Sequence, residues 1–178
     1  MNSEKILFFT NQQKILKFLL DNSDEKYYDR QISLLSGVSR AGTNFALRDL
    51  TLAGLIHKEQ KGKMNFYHLS GDTALAKEIK IVLNILSIND MVMKAREYCD
   101  KIVLFGSAAK GENHKASDID LLFITPEKSK VSALTLKDSQ REKLQPVIVT
   151  QNEFIKMKID NLAFYKEVGE GKVLWIRE

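Results

Sequence analysis

Apolar residues in the first third of the chain recur at helical spacing in three blocks. Over residues 4–20, Ile6, Leu7, Ile15, Phe18 and Leu19 share one helical face, and the polar run Asp21-Asn22-Ser23-Asp24 ends it. Residues 30–35 read as a short second helix with Ile32 and Leu35 facing inward, broken by Gly37. Ser39 suits the N-cap of a third helix over residues 40–53, because its hydroxyl can accept an unpaired amide of the first turn. Thr43, Ala46, Leu47 and Leu50 form the inner stripe of that helix, and Gly54 closes it.

The pattern then changes. Residues 55–60 and 64–69 are strand-like and flank Lys61-Gly62-Lys63, a hairpin with a basic tip. Three helices followed by a hairpin is the order of a winged helix-turn-helix. Residues 73–98 contain no Gly or Pro and predict one or two helices, with Leu75, Ile79, Val82, Leu83, Leu86, Met91 and Val92 as apolar positions. They read as a helical connector packed on a second domain. From Lys101 onward, short apolar strands alternate with helical segments. Strands are expected over residues 102–105, 118–124, 146–149 and 172–176, and helices over 134–143, 152–158 and 161–168. Pro146 assigns its strand to a start or an edge, and the last strand also reads as an edge. The expected fold is α+β: domain 1–72, connector 73–98 and a mixed-sheet domain 99–178 with flanking helices.

Composition adds limits. The 178 residues are 44% hydrophobic and 28% charged, an ordinary globular balance. Net charge is +4, with 10 basic and 8 acidic residues in 1–72 and 17 and 15 in 73–178. That permits contact with phosphates without concentrating charge in a tail. Cys99 is the single cysteine, so no internal disulfide forms, which fits a reducing cytoplasm. It reads as a small buried apolar residue. His57, His68 and His114 have no ligand-like spacing with one another or with Cys99, so no zinc site is expected. The apolar run at residues 6–9 is too short for a signal sequence, and nothing approaches the ~20 apolar residues of a membrane span.

Two short segments carry candidate chemistry. In Phe105-Gly106-Ser107-Ala108-Ala109-Lys110-Gly111, a strand runs into Gly-Ser and then into small residues suited to start a helix. Gly106 lets backbone approach a ligand, and Ser107 offers a hydroxyl and an amide to phosphate oxygens. In Ser117-Asp118-Ile119-Asp120-Leu121-Leu122-Phe123-Ile124, alternation along a strand puts Asp118 and Asp120 on one face, roughly 6–7 Å apart. Beyond them both faces are apolar, as in a strand buried on both sides. Two carboxylates at the mouth of such a strand repel each other and lose hydration. A bridging divalent cation relieves both costs; Mg2+, or Mn2+, suits an oxygen-only site completed by phosphates.

These residues resemble the DNA polymerase beta-like nucleotidyltransferase superfamily, in its minimal members. Their signature is a strand, Gly-Ser-x-Ala-Arg-Gly, a variable loop and Ser-Asp-x-Asp-Leu. The N-terminal part resembles winged-helix domains fused to such modules in archaeal proteins. The resemblance implies transfer of a nucleoside monophosphate from a nucleoside triphosphate to an acceptor. Asp118 and Asp120 would be the catalytic, metal-holding acids. Gly106, Ser107, Lys110 and Ser117 would bind the nucleotide. Lys110 replaces the usual Arg, keeping the charge without the bidentate fork. A third carboxylate, carried by active relatives on a later strand, has no counterpart in Gln145-Pro146-Val147-Ile148-Val149-Thr150, where Val147 lies near the expected place.

For the N-terminal domain, Arg40, Asn44, Phe45 and Arg48 are expected on the exposed side of the recognition helix, facing DNA. Lys61 and Lys63 at the wing tip suit phosphate contact. Three functions follow. The chain is a nucleotidyltransferase located or regulated by a DNA-binding domain. Alternatively it is a DNA-binding regulator whose second domain senses nucleotide or mediates assembly. The third is a module that docks a small helical partner protein. A homodimer reading two half-sites is expected by analogy.

Overall fold

Thr10 sets the start of the first helix. Its hydroxyl accepts from the Gln13 amide at 3.3 Å, and the Gln13 side chain accepts from the Thr10 amide at 2.9 Å. This reciprocal pair satisfies two amide donors and fixes the boundary. Helix α1 is therefore Asn11–Asp21, with Phe9 and Thr10 outside it. The computed structural model describes residues 9–69 and 73–177, so Ile6 and Leu7 lie outside the described residues. The chain forms two compact units, residues 1–77 and 78–178.

In the first unit, α1 buries Ile15, Leu16, Leu19 and Leu20. Strand β1 (Tyr27–Tyr28) leads into α2 (Asp29–Ser36), which ends at Gly37 with φ 71°. Ile32 is fully buried, but Leu35 is 59% exposed, contrary to its expected inward position. The chain turns at Gly37, and Val38 takes the inward place instead, its carbonyl accepting from the Ser33 hydroxyl at 2.8 Å. Helix α3 (Arg40–Leu52) is capped by Ser39, which accepts from the Gly42 amide, and it buries Thr43, Ala46, Leu47 and Leu50 as expected. Strands β2 (Ile56–Lys61) and β3 (Met64–Leu69) form the hairpin. β1 adds to β3, giving the antiparallel order β1-β3-β2. Two residues are too few to show a strand pattern, which is why β1 was not expected. Three helices and this small sheet have the order anticipated for a winged helix-turn-helix.

Helix α4 (Ala74–Ala95) is continuous. Ile88, Met91, Val92 and Ala95 join the core of the second unit with Cys99. Leu75 and Val82, expected as apolar face positions, are exposed, while Ile81 and Ile88 are buried. Leu83, Met91 and Val92 are buried as expected.

The second unit follows as β4 (Lys101–Phe105), α5 (Gly106–Lys110), β5 (Ile119–Ile124), α6 (Lys128–Leu136), β6 (Leu144–Val149), α7 (Gln151–Asp160), α8 (Leu162–Gly169) and β7 (Lys172–Ile176). The sheet order is β6-β5-β4-β7. β5 runs parallel to β6 and antiparallel to β4, and β4 is antiparallel to β7. Both β6, with Pro146, and β7 are edges, as anticipated. The helix expected over residues 134–143 instead ends at Leu136. Asp138 accepts from the Gln140 amide at 2.8 Å, and this local bond turns the chain out of the helix.

The two faces of the sheet carry separate cores. Ile102, Leu104, Leu121 and Phe123 face α4, α5 and Val131 of α6. Val103, Phe105, Leu122 and Ile124 face Phe154 and Met157 of α7 and Phe164 and Val168 of α8. Leu121 to Ile124 are 0–1% exposed, so β5 is buried on both sides. Leu122→Ala should lower unfolding free energy by about 2–5 kcal/mol through lost burial and a residual cavity. Ile176→Ala, on a half-exposed edge position, should cost less than about 1 kcal/mol. Urea unfolding followed by the fluorescence of Trp175, the single tryptophan, distinguishes the two.

Candidate functional site

The site is built where β4 and β5 end together. Phe105 pairs with Asp120 as the last rung of their ladder. The chain leaves β4 at Gly106, with φ 67°. A Cβ on Gly106 would collide with the Asp120 carboxylate. Glycine is thus required twice, by the left-handed backbone and by the carboxylate lying against it. The two segments singled out in the sequence are in direct contact.

Asp118 is exposed and sits just before β5, while Asp120 is half-buried on its second residue. Burial raises the Asp120 carboxyl above the ordinary aspartate range, and the charges of Glu167 and then Asp118 push it further. Glu167 belongs to α8, which is held on this face by Phe164 edge-on to Phe105 (ring centres 5.4 Å apart) and by buried Val168. Sequence reading had no signal for Glu167: it lies in no motif, and only the packing of α8 brings it towards Asp120.

Ser107 is half-buried, and its carbonyl accepts from the Gly111 and Glu112 amides. Lys110 ends α5 and pairs with Glu170 at 3.0 Å. That carboxylate, through a hydrogen bond and its charge, raises the Lys110 ammonium. Ser117 accepts from the His114 amide at 2.9 Å, so its hydroxyl shapes the loop before Asp118. A second device fixes that loop. The Asn84 side-chain amide donates to Ala108 O at 2.8 Å and to Asn113 Oδ1 at 2.9 Å, and Asn113 donates back at 3.1 Å. The pair ties α4 both to the Gly-Ser helix and to the loop carrying the acids. Asn84 inside the mostly apolar run Ile81–Ile88 is a sequence sign of a buried polar contact, but not of its partner.

The expected place of a third acid is also defined. On parallel β6, Gln145 pairs with Asp120 and Val147 with Leu122; neither is acidic. Glu153 caps α7 through Thr150 and pairs with Lys128. The Lys128 bond and then the Thr150 bonds lower its carboxyl to about 2, so it serves the cap. Among the described residues no group of three or more metal-type side chains converges. The donor set present, two aspartates with hard oxygens, fits Mg2+ or Mn2+ whose remaining positions are filled by phosphates and water. Cys99 is fully buried, and desolvation pushes its thiol up to about 11, which removes it as a nucleophile.

In the first unit, Arg40, Asn44 and Arg48 are exposed on α3, and Phe45 is 60% exposed, with the Arg48 guanidinium 5.3 Å from its ring centre. Lys61 and Lys63 are exposed at the hairpin tip. Lys61 lies 3.5 Å from Glu59, which also pairs with Lys26. Four of the six side chains therefore share one helix and the other two share the wing tip.

Residues 91–173 match the family model of the nucleotidyltransferase domain. This stretch runs from the end of α4 into β7 and contains the whole Gly106–Asp120 site. No curated protein matches the chain. Among solved structures, a candidate nucleotidyltransferase from Sulfolobus solfataricus is 16% identical, with 60% of this chain and 93% of that one covered and a TM-score of 0.38. TrmBL2, described as an archaeal chromatin protein with a novel mode of DNA binding, is 15% identical, with 90% and 70% covered and a TM-score of 0.31. Likeness at that level carries no argument about this chain. No helix among the described residues is long and apolar enough to cross a membrane.

Asp120 gives a pH-dependent prediction. Its folded value is raised, so the charged form is the costly one. The cost is absent below the ordinary aspartate value, grows as pH rises through the raised folded value, and is complete above it. Asp120→Asn should therefore raise the melting temperature of the metal-free chain at pH 7 and leave it unchanged near pH 3. Gly106→Ala should lower the melting temperature at both.

Proposed function

We propose that the second unit is a divalent-cation-dependent nucleotidyltransferase and that the first unit binds DNA. The observation that carries the first part is the packing of the Asp120 carboxylate directly on Gly106, inside the stretch matched to the nucleotidyltransferase family. In this reading Asp118 and Asp120 hold Mg2+ or Mn2+. Gly106 and Ser107 present the backbone of the Gly-Ser turn to the outer phosphates. Lys110 adds positive charge there after exchanging Glu170 for phosphate, and Ser117 keeps the acidic loop in place. The bound cation would neutralise phosphate charge and align the triphosphate. An acceptor hydroxyl would then attack the α-phosphorus and lose its proton to water, the bond to the bridging oxygen would break, and pyrophosphate would leave with that electron pair.

Label transfer from an α-labelled triphosphate to candidate protein or RNA acceptors, with Mg2+, tests this. Asp118→Asn with Asp120→Asn should reduce transfer at least 100-fold. Absence of both transfer and calorimetric triphosphate binding in the unaltered protein would remove the enzyme reading.

A second reading has a specific observation in its favour. On β6 the neighbour of Asp120 is Gln145, and Leu144–Val149 contains no acid, so β6 supplies no third carboxylate. In that reading the domain binds nucleotide and the chain is a DNA-binding regulator, assembled as a homodimer or with a small helical partner protein. The exposed set Arg40, Asn44, Phe45, Arg48, Lys61 and Lys63 supports DNA binding in either case. A gel shift should weaken with salt, and Arg40→Ala with Arg48→Ala should weaken it about 10-fold or more. Unchanged affinity would show that α3 does not face DNA.

A further inference from the structure

Sequence spacing gave no ligand set among the histidines, but the hairpin brings two of them together. His57 on β2 stands directly opposite His68 on β3. Their ring centres are 5.5 Å apart and the rings are inclined by 38°. The register that opposes them cannot slip: the adjacent rung pairs Ile56 with Leu69, both buried, and a one-residue shift would turn these apolar side chains to water.

The geometry suits a shared metal ion. With N–metal bonds of about 2.0–2.1 Å and a tetrahedral angle, two imidazoles on one ion have ring centres about 5 Å apart. The present separation is within a small side-chain adjustment of that. His68 is also prepared as a ligand. Its Nδ1 lies 2.8 Å from the Leu69 carbonyl oxygen, which can only accept, so Nδ1 carries the proton and Nε2 of the neutral ring keeps its lone pair. His57 is exposed, leaving room for an ion to enter with its waters. Glu59, the next β2 residue on this face, is held by Lys26 and Lys61, so the histidines are the two protein ligands.

We propose that His57 and His68 form a cross-strand site for a borderline divalent cation of the Zn2+, Cu2+ or Ni2+ class, with water completing its coordination. Imidazole donors select this class over Mg2+, so the site is chemically distinct from the aspartate pair. An ion bound there joins β2 to β3 four rungs from the Lys61-Gly62-Lys63 tip and stiffens the wing.

The test is titration of ZnCl2 into the full chain carrying Asp118→Asn and Asp120→Asn, which silences the aspartate site. Calorimetry and the imidazole proton NMR signals are read together. One equivalent should bind, the His57 and His68 signals should move while His114 stays, and excess Mg2+ should not compete. His57→Ala or His68→Ala should each weaken binding at least 10-fold with an unchanged circular dichroism spectrum. Zn2+ affinity unaffected by either substitution, or ring shifts confined to His114, would overturn the proposal. The unaltered chain in excess Mg2+ gives the same readout should the double variant fail to fold.

Discussion

Strand β5 can be apolar on both faces only because it is covered on both, and that constraint arranges the whole second unit. Leu121 and Phe123 need α4, α5 and α6 on one side; Leu122 and Ile124 need α7 and α8 on the other. A carboxylate has no place within such a strand and is tolerated only at its mouth. Asp120 stands there, half-buried, with Gly106 against it and acids from its own loop and from α8 around it. The hydrophobic demand of the sheet centre thus produces the charged tension at its end. Under the proposed function, a cation bringing phosphates would relieve that tension and couple folding energetics to ligand binding.

How far the sequence discloses this depends on whether the signal is local. The inner stripe of α3, the hairpin and the double burial of β5 follow from periodicity and turn residues, and all are present. Gly106 and the Asp118–Asp120 pair stand out as two short segments, and the approach of Gly106 to Asp120 follows from β4 and β5 ending on one rung. Leu35 was misplaced because its inward position is taken by Val38, a choice made by the turn at Gly37. The end of α6 was misplaced because a single Asp138 side-chain bond outweighs the helical pattern beyond it. Glu167, the Asn84–Asn113 pair and the His57–His68 opposition all depend on partners distant in sequence or on exact register. Single-sequence patterns carry no such information.

The two units present different kinds of recognition chemistry. Around Asp120 the donors are hard oxygens and the cation Lys110 is already paired. On α3 and the wing the groups are guanidinium, ammonium, amide and an aromatic ring, spread over an exposed surface. Under the proposed function the first arrangement would serve one ion and one phosphate chain. The second is suited to an extended polyanion, with Phe45 beneath Arg48 adding stacking to charge. The net +2 of residues 1–72 is mild for a DNA-binding surface.

Pro146 has an effect beyond marking an edge. The sheet ends in β6 on one side and β7 on the other. Proline has no N–H to offer, so a stray strand approaching β6 finds a gap in its row of donors. β7 has no proline, and its Val173 and Ile176 are more than half exposed. The sheet therefore has one blunted margin and one able to pair. In a partly unfolded or concentrated preparation, unwanted association through this sheet would grow from the β7 side.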